Sequence, residues 1–186
     1  MKKLNLGLAV LALSAASTAF AAPTGTINFT GKLLDSTCDA SLVGASPAGT
    51  SGSFTLQTMN IAGLAKAGDT IGDIAFTIKL TGTGCTDGGI IATPYFEAET
   101  TKVNAAGRLI NTATGATAAK NVDIQIVTAN KTAIDLMKPA LTQEVTTGVD
   151  NGANTKDFTY YARYFATGAA EKGDVTSSVS YSIFYK

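Results

Sequence analysis

Val175-Thr176-Ser177-Ser178-Val179-Ser180-Tyr181-Ser182-Ile183-Phe184-Tyr185-Lys186 is the stretch whose pattern decides the fold. Val175, Val179, Tyr181, Ile183 and Tyr185 share one parity, and Thr176, Ser178, Ser180, Ser182 and Phe184 take the other. Successive side chains of a β-strand point to opposite faces, so this segment has one apolar face and one mostly hydroxyl face. That is a strand with one buried side. On the plainest reading it is the last strand of a sandwich. The sharper expectation is that the sequence stops on this strand, with no residues left to supply the next one.

The same period of two recurs upstream. Ile74, Phe76, Ile78 and Leu80 alternate with Ala75, Thr77 and Lys79; Phe54, Leu56 and Thr58 give a shorter copy, and Val122, Ile124 and Ile126 another. Residues 90–97, 133–137 and 157–165 are further strand candidates. Turn-rich stretches separate them, at residues 44–52, 81–89, 105–107, 114–120 and 150–154. One short helical piece is predicted over residues 61–67, closed by Gly68. With 19 Gly and only 15% charged residues, this is the texture of an all-β chain of short strands and many turns. The expected fold is an immunoglobulin-like sandwich without internal repeats.

The first residues do not belong to that sandwich. Lys2 and Lys3 precede an apolar stretch over residues 4–13, and Ala19-Phe20-Ala21 supplies a small-residue cleavage site. The apolar run is far shorter than the roughly 20 residues a membrane-spanning helix needs. Residues 1–21 are read as a secretory signal, leaving 165 residues of net charge −2. Export makes the cysteines informative. Cys38 and Cys85 are the only two, and in an oxidising compartment they are expected to form one disulfide. Closing that loop stabilises the fold by on the order of 4 kcal/mol in the chain-entropy model.

Other classes of function lose ground on composition. The chain has no His, which removes the commonest general base and the commonest metal ligand together. No catalytic residues, metal or cofactor are expected. No basic patch suggests nucleic acid, and nothing suggests a small-molecule substrate. Asp87-Gly88-Gly89 and Asp150-Asn151-Gly152 read as turns, since no regular acidic spacing follows to make a calcium loop. Glu97 and Glu99 read as a solvated strand face and Arg163 as a structural residue.

Near the other end, Gly25, Ile27, Phe29, Gly31 and Leu33 share a parity opposite Thr26, Asn28, Thr30 and Lys32. This is again a one-faced strand. It could pair within its own domain or serve as an arm that completes the open edge of another chain. Periodicity does not choose between these.

At these residues the sequence resembles the type 1 fimbrial major subunit family. The resemblance is carried by Gly25-Thr26-Ile27-Asn28-Phe29-Thr30-Gly31-Lys32-Leu33-Leu34 running toward Cys38, and by Ala162-Arg163-Tyr164-Phe165-Ala166-Thr167-Gly168. It is also carried by Gly173, 14th from the end, the alternating residues that follow, and the penultimate Tyr185. The resemblance implies an immunoglobulin-like sandwich lacking its last strand, completed in trans by donor-strand complementation. Residues 22–32 are then a donor-strand extension and residues 33–186 the incomplete domain. Ile27, Phe29, Gly31 and Leu33 become the inward positions of the donor strand, with Gly31 in the family's Phe-x-Gly-x-Leu pattern. Gly173, Val179, Tyr181, Ile183 and Tyr185 become the strand that borders the groove and meets a periplasmic chaperone.

The implied partners are that chaperone, an outer-membrane usher and neighbouring copies in a homopolymer. The implied location is a fimbria on the bacterial surface, reached through the periplasm and used in adhesion. Two alternatives stand beside this: a minor or tip subunit or adhesin of the same system, and a free-standing secreted immunoglobulin-like binding module.

Overall fold

The protein is described by a computed structural model covering residues 38–85 and 91–186, together with Asn28 and Thr30. The expected signal, the arm positions Ile27, Phe29, Gly31 and Leu33, and the turn at Asp87 lie outside the described residues. The chain divides into two compact units, Met1–Leu33 and Leu34–Lys186, and all of the elements below belong to the second.

Eight strands are described: β1 (Asp39–Val43), β2 (Thr70–Thr81), β3 (Ala92–Phe96), β4 (Leu109–Ile110), β5 (Lys120–Thr128), β6 (Val149–Asp150), β7 (Thr155–Glu171) and β8 (Tyr181–Tyr185). All strand pairs are antiparallel. A six-stranded sheet runs in the order β1-β2-β7-β5-β4, with β6 also on β7, and β3 pairs β8 in a second, two-stranded sheet. The all-β sandwich expected from the period of two is therefore what forms.

The centre of the larger sheet is the pair β2 and β7. Their register sets Ile78 against Phe158, Phe76 against Tyr160 and Ile74 against Ala162. These residues share the inward parity of both strands, so the pairing places a continuous apolar strip on one face. Phe96 of β3 comes down on it from the other sheet. Its ring lies edge-on to Tyr160 with centroids 5.0 Å apart, and Phe76 stacks on Tyr160 at 5.6 Å. Ile78, Leu80, Phe96, Phe158 and Tyr160 are fully buried. Each such side chain contributes about 1.5–3 kcal/mol of hydrophobic stabilisation.

Where the structure departs from the sequence pattern, a local cause is visible. The predicted helical piece is a single 3-10 turn, Ile61–Leu64, capped by the Asn60 side chain accepting from the Ala62 N–H. Gly68, at φ +93°, ends the segment in a conformation other residues rarely adopt. Residues 133–137 touch β5 through one bridge and the Ile134 N–H to Ile126 O bond. They do not continue as a strand because the next amides bond to side chains, Asp135 N–H to Glu144 and Met137 N–H to Asp135. β5 is buried on both faces, not one. Its polar residues are covered by their own partners: Arg108 and Asn104 on Asp123, and Arg163 on Gln125. Arg163 thus has a structural role, with an amide as its partner.

Candidate functional site

The two sheets do not close along one side. Between them lies a cavity of about 440 Å³, floored by Ile74, Phe76 and Ile78 of β2, Ile124 and Ile126 of β5, and Ala162 and Tyr164 of β7. Protein interiors hold few voids larger than a water molecule, so an apolar space of this size is not ordinary core packing. One rim is residues 52–56, which contribute Phe54 and Leu56; the other is residues 175–181, which contribute Val175, Val179 and Tyr181.

Both rims carry strand-like sequence, yet neither belongs to a strand over most of its length. Only Tyr181–Tyr185 of the last alternating segment is β8, and residues 54–59 have no regular structure. The hydrogen bonds give the reason. Asp174 exchanges bonds with Thr117 and Ala119, the Thr176 O accepts from the Thr112 N–H, and the Ser180 O accepts from the Glu97 N–H. The Thr176 N–H goes to the Asn111 side chain. These even-numbered residues satisfy their peptide groups on one edge. The alternation of an extended chain turns the peptide groups of Val175, Ser177 and Val179 to the other edge, toward the groove. Among the described residues no backbone hydrogen bond crosses from there to residues 54–59. Among the described residues the groove is a gap, apolar beneath and lined on one side by peptide groups without a backbone partner.

The sequence pattern of this rim is reproduced in space. Val175, Val179, Tyr181, Ile183 and Tyr185 are half-buried and pack on the core, while Thr176, Ser178, Ser180 and Ser182 are exposed. The exposed hydroxyls pair with two carboxylates just beyond β3: Ser182 Oγ donates to Glu97 at 2.6 Å and Ser180 Oγ to Glu99 at 2.7 Å. Hydrogen bonds from Lys102 and then Ser180 hold the Glu99 carboxyl below its usual range. Ser177 also faces inward, a position the apolar parity did not mark. Its hydroxyl is buried without a hydrogen-bond partner.

Two tyrosines tie the last strand to the far side of the chain. Tyr181 OH donates to Thr50 O at 2.9 Å, and Cys38 N–H donates to Tyr185 OH at 2.9 Å. Tyr164 OH on the groove floor reaches Gln57 O at 3.1 Å. Burial pushes the phenols of Tyr164 and Tyr181 above their ordinary range, so both remain hydrogen-bond donors. Cys38 and Cys85 form the expected disulfide, with Cα atoms 5.1 Å apart.

Gly173 lies apart from the groove rim. Asp174 docks on residues 117–119, and a Cβ on Gly173 would overlap the backbone of Thr117, Ala118 and Ala119. Its lack of a side chain is required by the chain's own packing. Val179 and Tyr181 line the groove, and Ile183 and Tyr185 continue the same face along β8 against β3. Phe54 and Leu56 on the opposite rim were legible only as a short strand. Among the described residues, no group of three Cys, Asp or Glu side chains could hold a metal ion.

Chemically the site offers main-chain hydrogen bonds along one edge and an apolar trough beneath. It is suited to an extended peptide segment with alternating apolar side chains. A family model described as "FimA: Type-1 fimbrial protein, A" matches residues 56–186. The chain is 40% identical over 179 residues to the major fimbrial subunit SMF-1 of Stenotrophomonas maltophilia, covering 93% of this chain and 99% of that one. It is 32% identical over 200 residues to a type-1 fimbrial protein, A chain, of Escherichia coli, covering the whole of both. Its fold is similar to the crystal structure of the P pilus rod subunit PapA, with a TM-score of 0.54 and 16% identity, over 87% of this chain and 100% of that chain.

Proposed function

The chain belongs to the type-1 fimbrial protein family and is a structural subunit of a surface fimbria, not an enzyme; on that premise we propose that it polymerises by donor-strand exchange. Residues 22–32 of one copy fill the groove of the next. The observation that carries this is the gap over the apolar trough. Ile27, Phe29 and Leu33 supply alternating apolar side chains for the trough, each contributing about 1.5–3 kcal/mol on full burial. The arm's backbone completes the ladder along Val175, Ser177 and Val179. Gly31 is the position where the arm backbone lies close over the trough.

An open edge above an apolar surface is an aggregation hazard until it is filled. This supports delivery through the periplasm with a chaperone occupying the groove, the last strand as its recognition element, and handover at an outer-membrane usher. Residues 1–21 are the export signal that begins this route.

Gly31→Leu tests the arm. It should spare the folded, chaperone-bound subunit and block subunit-to-subunit exchange, so negative-stain images should show short fibres or none. Fibres of normal length from the Leu variant would overturn the donor-strand reading.

A further inference from the structure

The small sheet of β3 and β8 has two outer edges, and the chain treats them oppositely. The β8 side, continued by residues 175–180, is bare among the described residues. At the two ends of the β3–β8 pair, Ile91 and Lys186 exchange N–H···O bonds of 2.8 and 3.2 Å, and the Glu97 N–H reaches Ser180 O at 2.9 Å. These residues spend their peptide groups on β8, so alternation turns those of Ala92, Pro94 and Phe96 to the outer edge. Pro94 has no N–H to offer there. Phe96 has both groups, and both are taken by one side chain: its N–H donates to Gln143 Oε1 at 2.9 Å, and Gln143 Nε2 donates to Phe96 O at 3.0 Å. A carboxamide thus supplies the donor and the acceptor that a neighbouring strand would supply. Gln143 is only 6% exposed.

The segment that carries Gln143 is itself held in place. The Thr142 and Gln143 amides donate to Pro139 O. Lys138 Nζ donates to Glu144 Oε1, and Glu144 Oε2 accepts from the Asp135 N–H at 3.1 Å. The amide is therefore presented to Phe96 by a short latched loop.

Unpaired edge groups are a template for any passing strand. A chain that carries a strand-forming arm and relies on one open edge is exposed to capture at the wrong one. We propose that Gln143 blocks the β3 edge at Phe96 and so confines strand capture to the groove, which makes it a determinant of where an incoming arm docks. This rests on the donor-strand reading above, and it is a separate claim, about the edge that is refused.

The test refolds the mature full chain in large molar excess of a synthetic peptide of residues 25–34 and counts bound peptides by native mass spectrometry. Wild type should carry one peptide per chain. Gln143→Ala frees both Phe96 groups and should carry two. If Gln143→Ala carries only one, the proposal is overturned. Should that variant fail to refold, Gln143→Glu decides by the same count, because it keeps the acceptor but sets a carboxylate against Phe96 O. Two peptides support the proposal and one sinks it. A wild-type chain that binds none would overturn the donor-strand reading, an outcome distinct from either of these.

Discussion

Ala162 sits on the groove floor between Ile74 of β2 and Ile126 of β7's other neighbour, β5. Replacing it by Leu should move folding and assembly in opposite directions. Leu adds three carbons that project into a cavity of about 440 Å³, so they displace no existing side chain. At about 0.8 kcal/mol per buried CH₂ the gain in subunit stability is up to about 2.4 kcal/mol. The same atoms then occupy space that an incoming arm requires. Overpacking of that kind costs about 1–3 kcal/mol, which weakens arm binding about 5- to 150-fold. A guanidinium titration of the refolded subunit reads the first effect, and titration with a labelled peptide of residues 25–34 reads the second. If the cavity were a loose patch of an otherwise complete core, only stability would change. An Ala162→Leu subunit that binds the peptide with wild-type affinity would refute the reasoning. So would one that is destabilised, since the space would then not be open as described.

Tyr185→Phe separates two roles of the penultimate residue. It keeps the ring against the core but leaves the Cys38 N–H without its acceptor, a loss of about 1–3 kcal/mol. The denaturation midpoint should fall while chaperone co-purification persists; loss of the complex with an unchanged midpoint would contradict this. A second expectation concerns pH. Burial pushes the Glu144 carboxyl up, but hydrogen bonds from Lys138 and the Asp135 N–H outweigh it and hold it below its ordinary value. Its folded value being depressed, its contribution is full above the unfolded carboxylate pKa of about 4.3 and is lost as pH falls through the folded value. Between neutral and strongly acidic pH, wild type should therefore lose more stability than Glu144→Gln, as followed by thermal melts across that range. Equal losses would show that this latch does not titrate with folding.

Much of the fold was legible because burial writes itself as a period of two. Ile74, Phe76, Ile78 and Leu80 announced β2, and the run after residue 157 announced β7, although β7 extends to Glu171, where Ala169, Ala170 and Glu171 keep no apolar alternation. The disulfide followed from an isolated pair of cysteines in a chain whose first residues read as an export signal. β4 and β6 went unread because two residues are too few for a period to show, and β1, Asp-Ala-Ser-Leu-Val, has no clean apolar alternation. β5 was read as one-faced because Asp123 and Gln125 look like solvent positions. Each is buried with a partner far along the sequence, and such pairings leave no local trace.

The groove itself was half legible, and the half that was missed shows why. Alternation at residues 175–185 predicts a strand, and β8 does form, but over residues 175–180 the same alternation produces no ladder. An apolar parity records which face is buried and says nothing about whether either edge is paired, since edge groups belong to the backbone and are the same for every residue except Pro. The bare edge at Val175, Ser177 and Val179 thus has no sequence signature of its own. The closed edge does have one, in Pro94 and in the Gln143 that caps Phe96, but a single glutamine 47 residues away from its partner is visible only once the chain is folded. The proposed one-sided strand capture therefore rests on the contrast between two edges of one small sheet. One side is open because nothing in the described chain pairs with it, and the other is blocked at Pro94 by a missing N–H and at Phe96 by a carboxamide.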